Sequence, residues 1–500
     1  MSEDSLRSRW NEQWRWRWRR VRLRAHLLGL APHPNRREAL LYHHEQDVLL
    51  ENAECTPKAG DEISTLCMTT VEYFTPSTVH RLHRSLRLLR LGQDDTFRDR
   101  DPRLWISQAR SRDGRGGWYN LGYIYPKTRK HIYGNGVHGP VPPSFEHISV
   151  QVHAISPSLS ACSLTFHLKP EVRNQIREEL ARYRFPEFVS FGRAYSVNDP
   201  ERVKAAAIDR FRMGLRLEIH QWSKRHLPGF FSSEKAEIRP CLELGLYATG
   251  PRSHPGDKVW ELAGLEREFN RWRREAEAGG VLIFPSRRAL ERSSHAFLFL
   301  NSADVSEANL RSYGGAKADI AYRLTDEIGE IVLSWGLQAL LSAMREKLSL
   351  ARDNQLGLGR IGAHGAVKRL QAMTIQNADV QSICGDLQES TRSRLLRDSY
   401  TYRGGDWARK EARDDLLTWF WSAAGKSAKR LARFDHDVRA LAQQQGTLMV
   451  AEQNLRLQSL VWWLTVVAVF FALISAYEPA TRLWPKMQVF VEAAFAAAGR

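Results

Sequence analysis

The sequence predicts an α+β protein, a mixed strand-and-helix region followed by a helical stalk and one C-terminal transmembrane helix. Three observations carry this. Up to about residue 310, runs rich in Thr, Val, Ile and aromatics alternate with capped amphipathic helices. From about residue 316 the apolar period becomes helical and nearly continuous. Between Arg456 and Glu478 lie twenty-one residues without a charge, "LQSLVWWLTVVAVFFALISAY".

In chain order, residues 1–36 form a basic segment whose core reads "EQWRWRWRRVRLR". In an extended chain Trp14, Trp16 and Trp18 share one face and Arg15, Arg17 and Arg19 the other, with Arg20 following. In a helix Trp10, Trp14, Trp18 and Val21 gather on one side. Either arrangement suits an anionic membrane surface, where Trp sits at headgroup depth and Arg nearby adds about 1 kcal/mol each. Single-stranded nucleic acid, gripped by Arg and stacking aromatics, is the second candidate ligand. A segment with no binding role is the bland alternative.

Residues 37–310 are expected to form the α+β region, as one unit or as two with a break near 190–235. "EISTLCMTTVEYF" at 62–74 reads as a strand. Thr75 is placed to cap a helix with Pro76 in its first turn and Val79, Leu82, Leu86 and Leu89 on one face. "WYNLGYIY" at 118–125 is a second strand. "HISVQVHAI" and "ACSLTFHL", joined by "SPSLS", read as an antiparallel pair, and Pro170 opens the next helix. A helix over 200–226 precedes further strands at "CLELGLYA", "GGVLIFP" and "HAFLFLN".

Residues 311–456 read as a bundle and stalk. Ile328, Ile331, Trp335 and Leu341 fall at helical spacing, a second helix covers 364–398, and a third starts near 406. Leu431, Phe434, Val438, Leu441, Gln445, Leu448, Glu452 and Leu455 follow three-four spacing, which fits a coiled-coil seam or a bundle face.

The span, 457–477, is ~31 Å long at ~1.5 Å rise per residue and matches the hydrocarbon thickness. Leu457 and Phe470 belong to its apolar body, Trp462 and Trp463 lie near one end, and Tyr477 and Trp484 stand at or past the other, the interfacial positions aromatic rings favour. Thr465 and Ser475 are its inner hydroxyls; they bond the preceding turn's carbonyls or line a pore between associated copies. Residues 478–500 are a short amphipathic tail whose apolar run, Val489 to Ala498, is interrupted by Glu492. Basic residues close to the span, Arg456 before it against Arg482 and Lys486 after it, do not fix orientation. Export of the region ahead of the span needs a signal, and the only candidate, "RRVRLRAHLLGLAPHP", has a short, interrupted apolar part. The bulk of the chain is therefore expected in the cytoplasm.

Composition constrains partners. The chain of 500 residues has a net charge of +17, with 73 Lys+Arg against 56 Asp+Glu; 15 are Lys and 58 Arg. That balance suits anionic partners, or a compositional background on solvated faces. Five dispersed cysteines form no disulfide framework or zinc pattern and suit a reducing compartment.

No motif specifies chemistry. Gly134/Gly136/Gly139 runs into Pro140, Pro142 and Pro143, and Gly357/Gly359/Gly362 follows a helix, so neither has the strand-to-helix context of a dinucleotide loop. His80 with His83, and His43 with His44, lack a third ligand at metal-site spacing. No catalytic residue, cofactor-binding residue or metal ligand is therefore assigned, and no cofactor is expected.

The stalk that runs directly into a span, "AEQNLRLQSLVWWLTVVAVFFALIS", behind an α+β region and long helices, resembles the layout of the CorA-type magnesium channels. The likeness covers the arrangement of about 316–477 and the residue character of about 445–477. It implies ion conduction. That family has two crossings and a Gly-Met-Asn signature after the first, where this chain reads "SAYEPATRLWP", and no site residue is carried over.

These readings lead to a membrane-anchored, homo-oligomeric, non-enzymatic cytoplasmic sensor or effector, with a CorA-like channel or transporter and a membrane-tethered protein acting on nucleic acid or nucleotides as alternatives. The partners expected are the membrane and further copies of the chain, then anionic lipid, then nucleic acid.

Overall fold

The computed structural model describes residues 52, 54–57, 61–92, 101–111, 117–129, 136–184, 187–191, 194–234, 239–248, 260, 262–265, 270–276, 279–284, 294–305, 320–355, 378–388, 400–404 and 415–498. The opening Trp/Arg segment, including Trp14, Arg15, Trp16, Arg17, Trp18, Arg19 and Arg20, and the Gly357/Gly359/Gly362 motif lie outside them. Two compact units emerge, one drawn from Met1–Arg345 and Asp379–Ala432, the other from Glu346–Ala378 and Arg433–Arg500.

The first unit is mixed α/β. Its strands are β1 (Glu62–Phe74), β2 (Gly117–Tyr125), β3 (Gly136–His138), β4 (Phe145–Ser156), β5 (Leu159–Leu168), β6 (Glu187–Phe191), β7 (Ala194–Asn198), β8 (Cys241–Ala248), β9 (Asn270–Glu275), β10 (Gly280–Phe284), β11 (His295–Asn301) and β12 (Thr401–Gly404). Ten of them make one sheet in the order β12-β9-β10-β11-β8-β1-β5-β4-β2-β3, and β6 and β7 form a separate hairpin. The strands before and after residues 190–235 thus meet in one sheet, with β1 at the join, antiparallel to both β5 and β8. Pairing is antiparallel except at β8–β11 and β2–β3.

Helices α1 (Val79–Leu89), α2 (Pro102–Ser111), α3 (Pro170–Ala181) and α4 (Pro200–His226) supply one core. Met68 and Phe74 of β1, Val150 of β4 and Leu164 of β5 join Leu82 of α1, Ile106 of α2, Ile176 of α3 and Trp222 of α4 in it. Local chemistry explains these helices. Asp199 accepts from Arg202 N at 2.9 Å, Pro200 occupies the first turn, and Lys224, Arg225 and His226 complement the dipole at the C-terminus of α4. α1 begins later than the Thr75–Pro76 signal suggests. Thr78 and Val79 N–H both reach Thr75 O, while Ser77 N–H is taken by Asp379 Oδ1 at 3.1 Å, so 75–78 form a turn and Thr78 is the N-cap.

The opposite sheet face is covered by α5 (Thr325–Gln355) and the start of α6 (Leu416–Ala498). Phe284 of β10 packs edge-on against Trp335 of α5, 5.2 Å between ring centroids, and against Trp272 of β9 and Phe420 of α6. Gln338 donates to Phe420 O at 2.6 Å, and Asp415 caps α6 by accepting Thr418 N–H at 3.0 Å. Strand β12 corrects the expectation of nearly continuous helix beyond 316. Its hydrogen bonds go to β9, whose own sequence "NRWRRE" gives little strand signal because only Trp272 and Arg274 turn inward.

In the second unit Val438 is buried against Ala351 and Phe434, and Arg352 lies over the Phe434 ring, 5.5 Å from its centroid. Helix α6 continues without interruption to Ala498, through the residues expected to form a separate tail.

Helix α5 approaches β1 closely at Gly336, where an added Cβ would fall 2.5 Å from Val71 Cγ1 and 3.3 Å from the Tyr73 ring. Gly336→Val therefore forces the helix off the sheet; the expected loss is about 1–3 kcal/mol, read as a lower unfolding midpoint of the purified chain. An unchanged midpoint would contradict this packing.

Candidate functional site

Strands β4 and β5 alternate strictly. Ile148, Val150, Val152, Leu164 and Phe166 enter the apolar core, which turns His147, Ser149, Gln151 and His153 of β4 and Ser163, Thr165 and His167 of β5 to the other face. Such a row ordinarily faces water. Here α5 lies over it, and all seven are buried.

Within the row every side chain has a local partner, although His147 Nδ1 is buried without one. His147 and His167 stack with centroids 4.1 Å apart, and Tyr322 stacks on both, its hydroxyl 2.9 Å from His147 Nε2. Ser149 Oγ lies 3.0 Å from His167 Nε2, and Ser163 Oγ lies 3.0 Å from His153 Nε2. Thr69 of β1 shares a 3.0 Å hydroxyl contact with Thr165. Gln151 donates to Asp326 Oδ1 of α5 at 2.7 Å. Burial lowers His153 to about 3; burial, with Arg173 and Arg129 assisting, lowers His167 to about 3; and burial, with His167 and Arg129, lowers His147 further. All three rings are neutral at physiological pH.

One end of this row opens into a small cleft lined by Trp118, Gln151, His153, Ile155, Asp326, Glu330, Leu333 and Trp421. Asp326 and Glu330 stand one turn apart on α5. Glu330 accepts from the Tyr400 hydroxyl. Beside it, Glu327 holds Arg274 through two bonds of 2.8 and 2.7 Å and accepts from Tyr402. Burial and the neighbouring carboxylates raise both tyrosines above the ordinary phenol range, so they remain donors. The cleft sets two carboxylates and two indoles beside the neutral His153 ring, and both carboxylates already accept hydrogen bonds, Asp326 from Gln151 and Glu330 from Tyr400. Among the described residues no cluster of His, Cys, Asp and Glu has the form of a metal site.

Two more buried acids lie on the other face of the sheet's centre. Glu72 of β1 pairs with Arg239 and accepts Phe231 N–H at 2.6 Å and Ser232 Oγ at 2.7 Å. Glu243 of β8 contacts Arg212 of α4 at 2.9 Å and accepts Thr65 Oγ1 at 2.6 Å. Burial works to raise Glu243, but Arg212 with His295 and Thr65 outweighs it and holds the carboxyl down at about 2. Burial dominates at Glu72 and raises it despite Arg239.

The residues singled out from sequence lie elsewhere. Leu457, Trp462, Trp463, Thr465, Phe470 and Ser475 are all exposed on α6, and the Thr465 hydroxyl donates to Val461 O at 2.8 Å. The Tyr477 side chain is outside the described set. Of the seam, Leu431 and Val438 are buried, Phe434 and Leu441 half-buried, and Leu448 exposed. His80 is exposed and His83 half-buried on α1. No protein-family model matches the chain, and no curated protein or solved structure matches it either.

The buried histidines set a pH dependence. A histidine whose folded pKa lies below its unfolded value of about 6.5 binds a proton only on unfolding, so stability falls as pH drops through that value and continues to fall toward the folded pKa. Between pH 7 and 5, His153 and His167 should each remove about 2 kcal/mol, and replacing His167 with Asn should lessen the slope correspondingly. Thermal melts of the purified chain across this range check it; a melting temperature independent of pH would contradict neutral burial.

Proposed function

We propose that this chain is a C-terminally membrane-anchored, oligomeric cytoplasmic sensor or effector, with the α/β unit tethered through α6. The observation that carries the reading is the exposure of a helix long and apolar enough to cross a membrane. Every residue from 451 to 475 is exposed, and none of its most apolar window is buried. Thirteen large apolar side chains between Leu457 and Ile474 face outward. At about 1.5–3 kcal/mol for fully burying each such side chain, their uncovered surface is worth on the order of 20 kcal/mol, more than the whole net stability of an ordinary domain. A core helix would be covered by the chain itself. Lipid is the solvent that fits this one.

Other features support the finer parts. All five cysteines are free and buried, in keeping with a reducing compartment. Leu448 and Leu455 continue the seam but stand exposed in the single chain, as positions awaiting a second copy would. The Thr465 hydroxyl is satisfied within its own helix, which favours an anchor over a pore lining.

Membrane fractionation of the full chain beside a version ending at Gln453 tests the anchor. The full chain should stay with membranes through alkaline and high-salt washes and require detergent for release, whereas the shortened chain should be released by those washes. Equal retention of both versions would contradict α6 as the anchor.

A further inference from the structure

The outward face of α1 carries a row of positive charge with no ion pair among the described residues. Leu82, Ser85, Leu86 and Leu89 are its buried side. Arg81, Arg84 and Arg87 therefore recur along the exposed side three residues apart, and Arg90, in the left-handed conformation at the C-cap, extends the row. Residues 73–93 contain no Asp or Glu. Among the described residues none of these four guanidinium groups has an ion pair, although other surface arginines of the unit do, such as Arg103 with Asp101 and Arg182 with Glu179.

Leu88 stands in the same face. It follows Arg81 by seven residues and Arg84 by four, and it is 70% exposed. A leucine flanked by unpaired arginines on a helix otherwise anchored by its opposite side has the make-up of an interfacial surface: electrostatic attraction to anionic headgroups with a side chain able to enter the acyl boundary. A nucleic-acid backbone would engage the arginines but would leave Leu88 in water.

We propose that the Arg81–Arg84–Arg87–Leu88 face of α1 docks on anionic phospholipid. The choice of lipid over another polyanion rests on the reading of α6 as a membrane anchor, and the two can fail separately.

The full chain, carrying Leu88→Cys labelled with an environment-sensitive dye, is mixed with vesicles of phosphatidylcholine alone or with one-third phosphatidylserine. Its own five thiols are buried and do not compete for label. Flotation reports anchoring; dye emission reports docking of α1. The expected result is flotation with both vesicles, and a blue-shifted, brighter dye only with phosphatidylserine, lost in high salt. Arg84→Gln with Arg87→Gln should weaken docking roughly 30-fold, at about 1 kcal/mol per arginine, while Arg84→Lys with Arg87→Lys should retain most of it. Flotation with equal dye emission in both lipids would overturn the proposal, as would a dye that responds to added duplex DNA but not to phosphatidylserine. Flotation only with phosphatidylserine, abolished by the Gln pair, would sustain the α1 surface while removing the anchor; no association with either vesicle would overturn both.

Discussion

Large apolar surfaces must leave water, and this chain meets that constraint in two ways. In the α/β unit both faces of a ten-stranded sheet are covered, one by α1 to α4 and the other by α5 and the first turns of α6. Along 451–475 of α6 every residue is exposed among the described residues. The same helix thus begins as a core element, with Leu417, Phe420, Ala424 and Ala428 buried, and becomes a helix for which only a non-aqueous surrounding is favourable. Its N-terminal turns are tied down by Asp415, whose other oxygen also faces Tyr402 N of β12 at 3.4 Å.

Covering the sheet with α5 buries polar groups as well as apolar ones. Ser149, Gln151 and His153 of that row pair with β5 and α5, and the acids Glu72, Glu243 and Glu327 each meet an arginine from another segment of the chain. Desolvation consumes much of the attraction in such pairs, so their net contribution to stability is small, while removing one partner leaves a buried charge exposed to the full penalty. Their effect is on arrangement: Arg212 sets α4 against β8, and Arg274 sets β9 beneath α5.

Much of the architecture was legible in the sequence because local signals agreed with the fold. β1, β4, β5, β8, β10 and β11 show β-branched and aromatic runs, and Pro170 and Pro200 mark helix starts. The long apolar helix was legible from its length and its lack of charge. β9 and β12 were not, since "NRWRRE" and "TYRG" are polar segments held by strand pairing and by the Arg274–Glu327–Tyr402 contacts. The polar row was visible as period-two alternation in "FEHISVQVHAIS", yet that pattern is shared by strands with one wet face. Only the position of α5 distinguishes the two, and the close approach at Gly336 that permits it is a property of three-dimensional packing.

The most direct test of the central claim is thiol accessibility along α6 in native membranes. Single cysteines placed at Val450, off the seam, and at Leu460, Val467 and Ile474, in a chain whose own thiols are buried, are treated with a charged, water-borne maleimide. Rapid labelling is expected at 450, and protection at 460, 467 and 474 that detergent relieves. Rapid labelling at all four positions in intact membranes would contradict it.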